Sequence, residues 1–236
     1  MSAPALELAA VSKDYRGLRP LRVQQLTLGA GQQMAVLGFD EPSAEMMTTI
    51  ITGAALPDAG TIRVLGFSTA DIRNSQEWLQ LVDRIGIVTS RAALLDSLSV
   101  IQNLSMPFTL EIDPPPPEVR ARAAQLADEA GLPEAIANQP VGGLDGELRT
   151  RVNLARALSL DPSLLVLEHP TAHVPRQAVP RLASDIRRLA ERRGVAALTL
   201  TADEAFATGV AARVFIWDPA SGVLKEHRRG WRLWGR

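Results

Sequence analysis

The chain has 236 residues, of which 46% are apolar and 22% charged, a globular composition that excludes wholesale disorder. Its 25 basic and 26 acidic side chains nearly balance, so no overall charge draws the chain to nucleic acid. The lack of cysteine excludes disulfides, thiolate metal sites and cysteine nucleophiles, and no apolar run approaches the ~18–20 residues of a membrane span. We expect a soluble, cytosolic chain without a signal peptide.

Strand-like and helix-like segments alternate along the chain, which favours an α/β fold. The predicted strands are apolar, β-prone runs: Leu6–Ala10, Met34–Leu37, Ile85–Val88, Leu164–Leu167, Ala196–Leu200 and Val214–Trp217. The predicted helices are Ser43–Ile51, Glu118–Ala130, Glu147–Leu158 and Val179–Arg193. Four of the strands are nearly continuous in apolar character, as expected of strands that are buried on both faces.

A strand, a loop and a helix are predicted from Met34 to Ile51, the arrangement in which a phosphate-binding loop lies. Further segments follow in a fixed order: a turn and strand over Leu56–Gly66, an arginine-rich helix over Arg151–Leu158, and a buried strand followed by Pro-Thr over Asp161–Thr171. This combination resembles the ATP-binding subunits of ABC transporters. The resemblance extends over nearly the whole chain, from Leu6 to Trp217.

The resemblance implies one ABC-type nucleotide-binding domain over residues 1–236. It implies an α/β fold with a P-loop NTPase core over about 1–90 and 149–225, a helical subdomain over about 91–148 and an antiparallel β-subdomain. In this family the helical subdomain contacts a transmembrane permease. Two subunits enclose ATP between the P-loop of one and the signature motif of the other.

The positions that the resemblance assigns to nucleotide binding are Tyr15, Gly38, Ser43, Ala44, Glu45 and Met46. A phosphate loop needs the pattern G-x-x-x-x-G-K-[ST], in which glycines expose backbone N–H groups, lysine neutralises phosphate and the hydroxyl holds Mg²⁺. The spacing from Gly38 is kept, but Ser43 replaces the second glycine, Ala44 the lysine and Glu45 the hydroxyl. Tyr15 either stacks on adenine, as an aromatic residue does in the family, or is a surface tyrosine.

The predicted loop is also acidic, since Asp40, Glu41 and Glu45 lie where phosphate needs a positive potential. Two unit charges ~4 Å apart interact by roughly 4 kcal/mol at an effective dielectric near 20, so these changes weaken ATP binding by ~10³-fold or more. No lysine lies nearby; Lys13 is the nearest in sequence. Either the helix start, which attracts anions, is filled by the chain's own carboxylates, or Asp40 and Glu41 are solvated loop acids.

The signature motif of the family usually reads Leu-Ser-Gly-Gly-Gln, and the matching segment here is Leu144, Asp145, Gly146, Glu147 and Leu148. Asp145 replaces the serine that meets the partner's γ-phosphate, and Glu147 replaces a glycine. Both changes add negative charge where phosphate binds in the family, and we see no compensating cation nearby in sequence. We therefore predict that this segment does not complete an ATP site with a partner subunit.

The remaining catalytic positions are altered as well: the degenerate equivalents are Glu168, His169, Ser90 and Ala202. Glu168 stands for the aspartate that ends a buried strand and is long enough to hold a magnesium-bound water. His169 replaces the glutamate that orients the attacking water, Ser90 the glutamine that senses γ-phosphate, and Ala202 the switch histidine. His169 and His173 have the spacing of a helical zinc pair, but they lie in a proline-flanked loop, so we predict no metal site.

The carboxyl end, 226–236, carries several arginines together with Trp231 and Trp234. Such a segment contacts an anionic membrane or a partner, binds nucleic acid, or is an end that is disordered or docked on its own domain. No other basic patch supports nucleic acid, so we expect no nucleic-acid partner.

Three functions remain open from the sequence. The first is a non-hydrolysing pseudo-ATPase with a structural or regulatory role on a membrane permease, alone or paired with a second ABC ATPase, on the inner face of the cell membrane. It needs no cofactor, whereas ATP and Mg²⁺ belong to the second, a working transport ATPase with divergent motifs. The third is a binding module that uses the ABC fold outside transport. We favour the first, because every catalytic position is replaced within a frame of intact spacing.

Overall fold

A computed structural model describes residues 3–227, in which ten strands form two sheets. In chain order, β1 to β10 are Leu6–Lys13, Leu21–Leu28, Gln33–Leu37, Ala59–Val64, Phe67–Ser68, Ile85–Thr89, Leu164–Glu168, Ala196–Thr201, Arg213–Trp217 and Leu224–Glu226. The α-helices of the same residues, α1 to α7, are Glu41–Ile51, Ser75–Val82, Val100–Ser105, Pro117–Glu129, Gly146–Ala157, Val179–Arg193 and Glu204–Val210. All six predicted strands and all four predicted helices are present.

The larger sheet has the strand order β10-β9-β3-β8-β7-β6, and β9 to β6 in that order are parallel. Only β10 runs antiparallel, beside β9. Because parallel strands begin and end at the same edges, the carboxyl ends of β3, β6 and β7 lie together at one edge of the sheet. Polar residues that follow these strands are therefore brought close to one another.

The smaller sheet is antiparallel, in the order β2-β1-β4-β5, and packs with α1 against one face of the larger sheet. Successive side chains of a strand point to opposite faces, so the two faces of β3 belong to different layers. Met34 and Val36 lie in the core shared with the smaller sheet, whereas Ala35 lies in the core shared with the helices. All three are at most 3% exposed, which explains why β3 reads as a continuous apolar run.

The second core layer joins the opposite face of the larger sheet to α3, α4, α5, α6 and α7. The apolar stripe of α6, Val179, Leu182, Ile186 and Leu189, is buried in it. The α/β fold with a P-loop core, an antiparallel sheet and packed helices is thus confirmed. The division into core and helical subdomain stays a prediction.

The predicted start of the carboxyl-terminal tail coincides with the end of a strand. Glu226, where we predicted that the tail begins, is the final residue of β10, and the backbone N–H of His227 donates to the carbonyl of Val214 at 2.7 Å. The arginine- and tryptophan-containing segment 228–236 lies outside the described residues.

Candidate phosphate-loop and signature sites

The loop after β3 ends in a capped helix. Asp40 is the N-cap of α1, and its carboxylate accepts a hydrogen bond from the backbone N–H of Ser43 at 2.9 Å. In return, the Ser43 hydroxyl accepts the backbone N–H of Asp40 at 3.1 Å, which completes a capping box. A carboxylate of the chain itself therefore caps this helix N-terminus, as the first of the two readings expected, and Asp40 is at the same time exposed to solvent, as the second expected. Glu41 is exposed, as the second reading expected.

Several loop N–H groups are consequently already bonded. Besides those of Asp40 and Ser43, the N–H of Ala44 donates to the carbonyl of Asp40 at 3.0 Å. Pro42 has no N–H to offer. The hydrogen bonds from Ser43 lower the pKa of Asp40 despite the opposing effect of burial, and the charge of His169 lowers it further. Asp40 is thus held in its anionic form.

The backbone that leads into this loop depends on a glycine. Gly38 has φ +100°, a conformation that other residues rarely adopt, and a Cβ atom there would lie 3.0 Å from the carbonyl oxygen of Trp217. The next residue, Phe39, is buried and stacks on the indole of Trp217 with 4.2 Å between ring centroids. This stack anchors the loop to β9.

The other predicted nucleotide-binding positions lie around the start of α1. Ala44 is fully buried and Met46 is half-buried against the same core. Tyr15 also packs on that core; burial raises its pKa, and the nearby charge of Asp40 raises it further. Tyr15 is half-buried with Asp40 as an acidic neighbour, and its stacking on adenine stays a prediction.

A cation is present at the site, although the sequence revealed no lysine for it. Arg91, two residues after β6, donates from Nη2 to both carboxylate oxygens of Glu168, at 2.7 and 2.9 Å, and from Nε to Oε1 at 3.1 Å. Its Nη1 also pairs with the carboxylate of Glu45. The Glu168 carboxylate, expected to hold a magnesium-bound water, is thus engaged by a guanidinium. That expectation took no account of Arg91, which is distant in sequence from both glutamates.

The side chains at the remaining catalytic positions are placed as follows. His169 has φ +43°, its backbone N–H donates to Leu200 at 3.0 Å, and its Nε2 is buried without a hydrogen-bond partner. Ala202 is exposed, and the adjacent Asp203 accepts the Thr171 hydroxyl at 3.1 Å. Within residues 3–227, no group of three or more His, Cys, Asp or Glu residues is arranged to hold a metal ion.

The signature segment forms the start of α5. Asp145 is the N-cap and accepts the backbone N–H of Leu148 at 2.9 Å. Gly146 is required here, since a Cβ atom would lie 1.8 Å from the carbonyl oxygen of His173. Leu144 is 9% exposed and belongs to the helical core. This second helix N-terminus is therefore also capped by a carboxylate of the chain.

The charge of Glu147 is compensated, contrary to what we expected. Arg151, one helical turn later, donates to Glu147 Oε1 from Nε at 3.0 Å and from Nη2 at 2.9 Å. It also reaches Asp185 on α6 at 2.7 Å and the carbonyl of Ala130 at 2.9 Å. Burial alone would raise the pKa of Asp185, but the hydrogen bonds from Arg151 and Arg188 outweigh it and lower that pKa. The i, i+4 spacing of Glu147 and Arg151 was visible in the sequence.

A cavity of about 220 Å³ lies beside the end of β6 and the start of α5. Ser90, Gly146, His173 and the buried Asn153 are among its lining residues, and Asn153 Oδ1 has no hydrogen-bond partner. The cavity is smaller than the ~300–1,000 Å³ of most ligand pockets. The structure thus brings together Asp40, Glu45, Glu168 and His169 at the sheet edge, and Gly146 of the signature segment lines the cavity.

Residues 21–172 match the family model of ABC transporters. This chain belongs to the ABC transporter family. The family assignment agrees with the strand order and with the loop between β3 and α1. The spacing of the motifs follows the family, whereas several of the residues within the motifs differ from the family's usual ones.

Two curated relatives align with this chain over 90% or more of their own length, whereas others, such as the sulfate/thiosulfate import ATP-binding protein CysA of Methylococcus capsulatus, are covered to 60%. The lipoprotein-releasing system ATP-binding protein LolD of Alcanivorax borkumensis is 28% identical over 230 residues, covering 95% of this chain and 98% of the relative. The phosphonates import ATP-binding protein PhnC of Hyphomonas neptunium is 31% identical over 239 residues, covering 94% and 90%. These relatives are ATP-binding subunits of transport systems.

A solved structure shares the fold. The dimeric structure of MJ0796, a bacterial ABC transporter cassette, matches with a TM-score of 0.77 at 23% identity and covers 96% of this chain and 100% of that chain. Among the described residues of our chain, no helix is both long enough and apolar enough to cross a membrane.

Proposed function

We propose that this ABC chain is a non-hydrolysing subunit with a structural or regulatory role in a membrane transport complex. The observation that carries the proposal is the pairing of Arg91 with Glu45 and Glu168, beside a helix start that is capped by Asp40. On this proposal the chain lies on the cytoplasmic face of the membrane and docks on a permease, alone or with a second ABC ATPase. Nucleic acid is not a partner.

A magnesium nucleotide fits these residues poorly. Three N–H groups of the loop are bonded to oxygens of the chain itself, and Pro42 supplies none. A triphosphate would therefore have to displace the Asp40 carboxylate and approach Glu41 without a lysine at position 44, while Glu45 is already paired with Arg91. Like charges ~4 Å apart repel by roughly 4 kcal/mol at an effective dielectric near 20, and the loss of the hydrogen bonds to Asp40 further weakens phosphate binding.

The signature side supports the same conclusion through Asp145. Its carboxylate already accepts the N–H of Leu148, where the helix N-terminus would otherwise face phosphate. Glu147 contributes less to the argument than the sequence suggested, since Arg151 neutralises it. We therefore propose that this chain does not complete an ATP sandwich with an active partner, and that such an ATPase pairs with itself or is held idle.

Steady-state phosphate release from the purified chain with Mg²⁺ and ATP tests the proposal. We expect release no greater than background, because neither charge stabilisation nor a positioned water is provided. The matched control is the double variant Glu168→Gln, His169→Ala. Release by the parent chain that disappears in this variant would establish a working ATPase, whereas release that persists in the variant would come from a contaminant.

The proposed partnership is tested separately, by purifying the tagged chain from its native membrane. We expect a permease in the purified complex. Recovery of the chain in the soluble fraction without any transport protein would instead favour a role outside transport, and would leave the hydrolysis result as it stands.

A further inference from the structure

Arg91 makes a bridge between two carboxylates that belong to different elements. Glu45 lies on α1, Glu168 ends β7, and the guanidinium contacts both. The contact with Glu168 uses three N–H···O hydrogen bonds of 2.7–3.1 Å, the fork geometry that makes arginine–carboxylate pairs strong. The bridge therefore has a defined geometry at Glu168.

Burial explains why a cation is needed there. The Glu168 side chain is 4% exposed, and an unpaired carboxylate at that depth would be strongly destabilising. The Thr89 hydroxyl donates to Glu168 Oε1 at 3.2 Å but carries no charge. The positive charge is supplied by Arg91, whose side chain is 47% exposed and reaches inward from the loop.

The Arg91 guanidinium lies among oxygen atoms that could also bind a divalent metal ion. Two carboxylates and a hydroxyl are the hard oxygen ligands that Mg²⁺ and Mn²⁺ prefer. Residues 45 and 168 are also those that the ABC resemblance assigns to the magnesium hydroxyl and the magnesium carboxylate. A divalent cation and the guanidinium would compete for the same carboxylate oxygens.

We propose that Arg91 is the resident cation of this site, and that its side chain excludes divalent metal by occupying the oxygens of Glu45 and Glu168. The inference deepens the proposed function, on which it rests for the assignment of the site. Through these two ion pairs, Arg91 also connects the segment that leads to α3 with α1 and β7. A side-chain cation then offsets part of the negative charge of the two glutamates permanently, without a nucleotide-borne metal.

Manganese binding without nucleotide tests this inference. Free Mn²⁺ is measured by its electron paramagnetic resonance signal, which is lost on binding, in the wild type and in Arg91→Ala. We expect the variant to bind one Mn²⁺ roughly ten-fold more tightly than the wild type or better, because two carboxylates lose their cation. Adding Glu168→Gln to the variant should abolish the gain.

Arg149→Ala is the matched control, since it also removes an arginine from a carboxylate, Asp96 at 2.9 Å. It should bind Mn²⁺ no better than the wild type. If Arg91→Ala does not fold, Arg91→Gln keeps a hydrogen-bond donor without the charge and should show the same gain. Equal Mn²⁺ binding by the wild type and the folded Arg91 variant would overturn the inference.

The two proposals fail in different ways. ATP hydrolysis by the wild type would contradict the non-hydrolysing function, whatever Mn²⁺ does in the absence of nucleotide. An unchanged Mn²⁺ affinity on removal of Arg91 would contradict the resident-cation inference, even if no ATP is hydrolysed.

Discussion

The N-termini of α1 and α5 both carry acidic residues, but the arginines that pair with these residues come from different parts of the chain. Each helix begins with an aspartate whose carboxylate accepts a backbone N–H, and each carries a glutamate in its first turns. At α5 the glutamate pairs with Arg151, which lies on the same helix and is 3% exposed. At α1 the glutamate pairs with Arg91, which is half-exposed and comes from a loop after β6.

The difference separates a structural pair from one that controls a site. Arg151 is enclosed, and it joins α5 to α6 through Asp185. Arg91 stands at the open edge of the sheet, where the carboxylates it neutralises also face the phosphate loop. We therefore expect changes near α5 to affect mainly stability, and changes near α1 to affect mainly ion binding.

The largest expected effect is that of Arg151→Ala. Removing the arginine leaves Glu147, Asp185 and the carbonyl of Ala130 without their shared donor, which should lower the free energy of unfolding by about 3 kcal/mol. Urea denaturation measures this change. The control Arg149→Ala, at a more exposed pair, should cost less than about 1 kcal/mol. Similar losses in the two variants would remove the distinction between enclosed and open pairs.

Ala44→Lys should have an intermediate effect on stability and none on nucleotide affinity. Ala44 is fully buried, so a longer side chain must displace its neighbours, at a cost of about 2 kcal/mol. The lysine leaves Glu45, Pro42 and the Asp40 cap unchanged. Thermal unfolding checks the first expectation and titration calorimetry with Mg–ATP the second. Micromolar affinity in this single variant would show that the acidic loop matters little.

Removing either cap should have the smallest effect. Asp40→Ala and Asp145→Ala should each lower stability by about 1 kcal/mol, the usual cost of losing an N-cap. The pKa of Asp40 is lowered by its hydrogen bonds from Ser43, so its contribution is fully present above the ordinary aspartate value of about 3.9 and is lost as the pH falls through the lower folded value. Denaturation of wild type and Asp40→Ala should therefore converge in acid; a constant difference down to acid pH would contradict the cap.

Much of the fold was predictable because its signals are local. The apolar runs of β3, β7 and β8 were found from composition and spacing alone. The strand β2 was missed because its alternation of buried and exposed residues is interrupted at Gln24 and Gln25, which are both exposed. Short elements such as α3 and α7 have too few turns for a clear helical period.

The candidate site was predictable only in part, for a different reason. The replacements at positions 43–45 and 168–169 are read directly from motif spacing. The Arg91–Glu168 pair joins residues 77 apart, and only the parallel pairing of β6 with β7 brings them together. By contrast, the Glu147–Arg151 pair follows helical spacing and was available to sequence reasoning.

The central claim is that carboxylates of the chain already occupy the positions where phosphate would bind. Calorimetric titration of the wild-type chain with Mg–ATP into the millimolar range tests it most directly, with Mg²⁺ alone as the blank. The account predicts no saturable heat beyond the blank. Saturable binding in the micromolar range, retained when the protein is freshly refolded and free of contaminating nucleotidases, would contradict it.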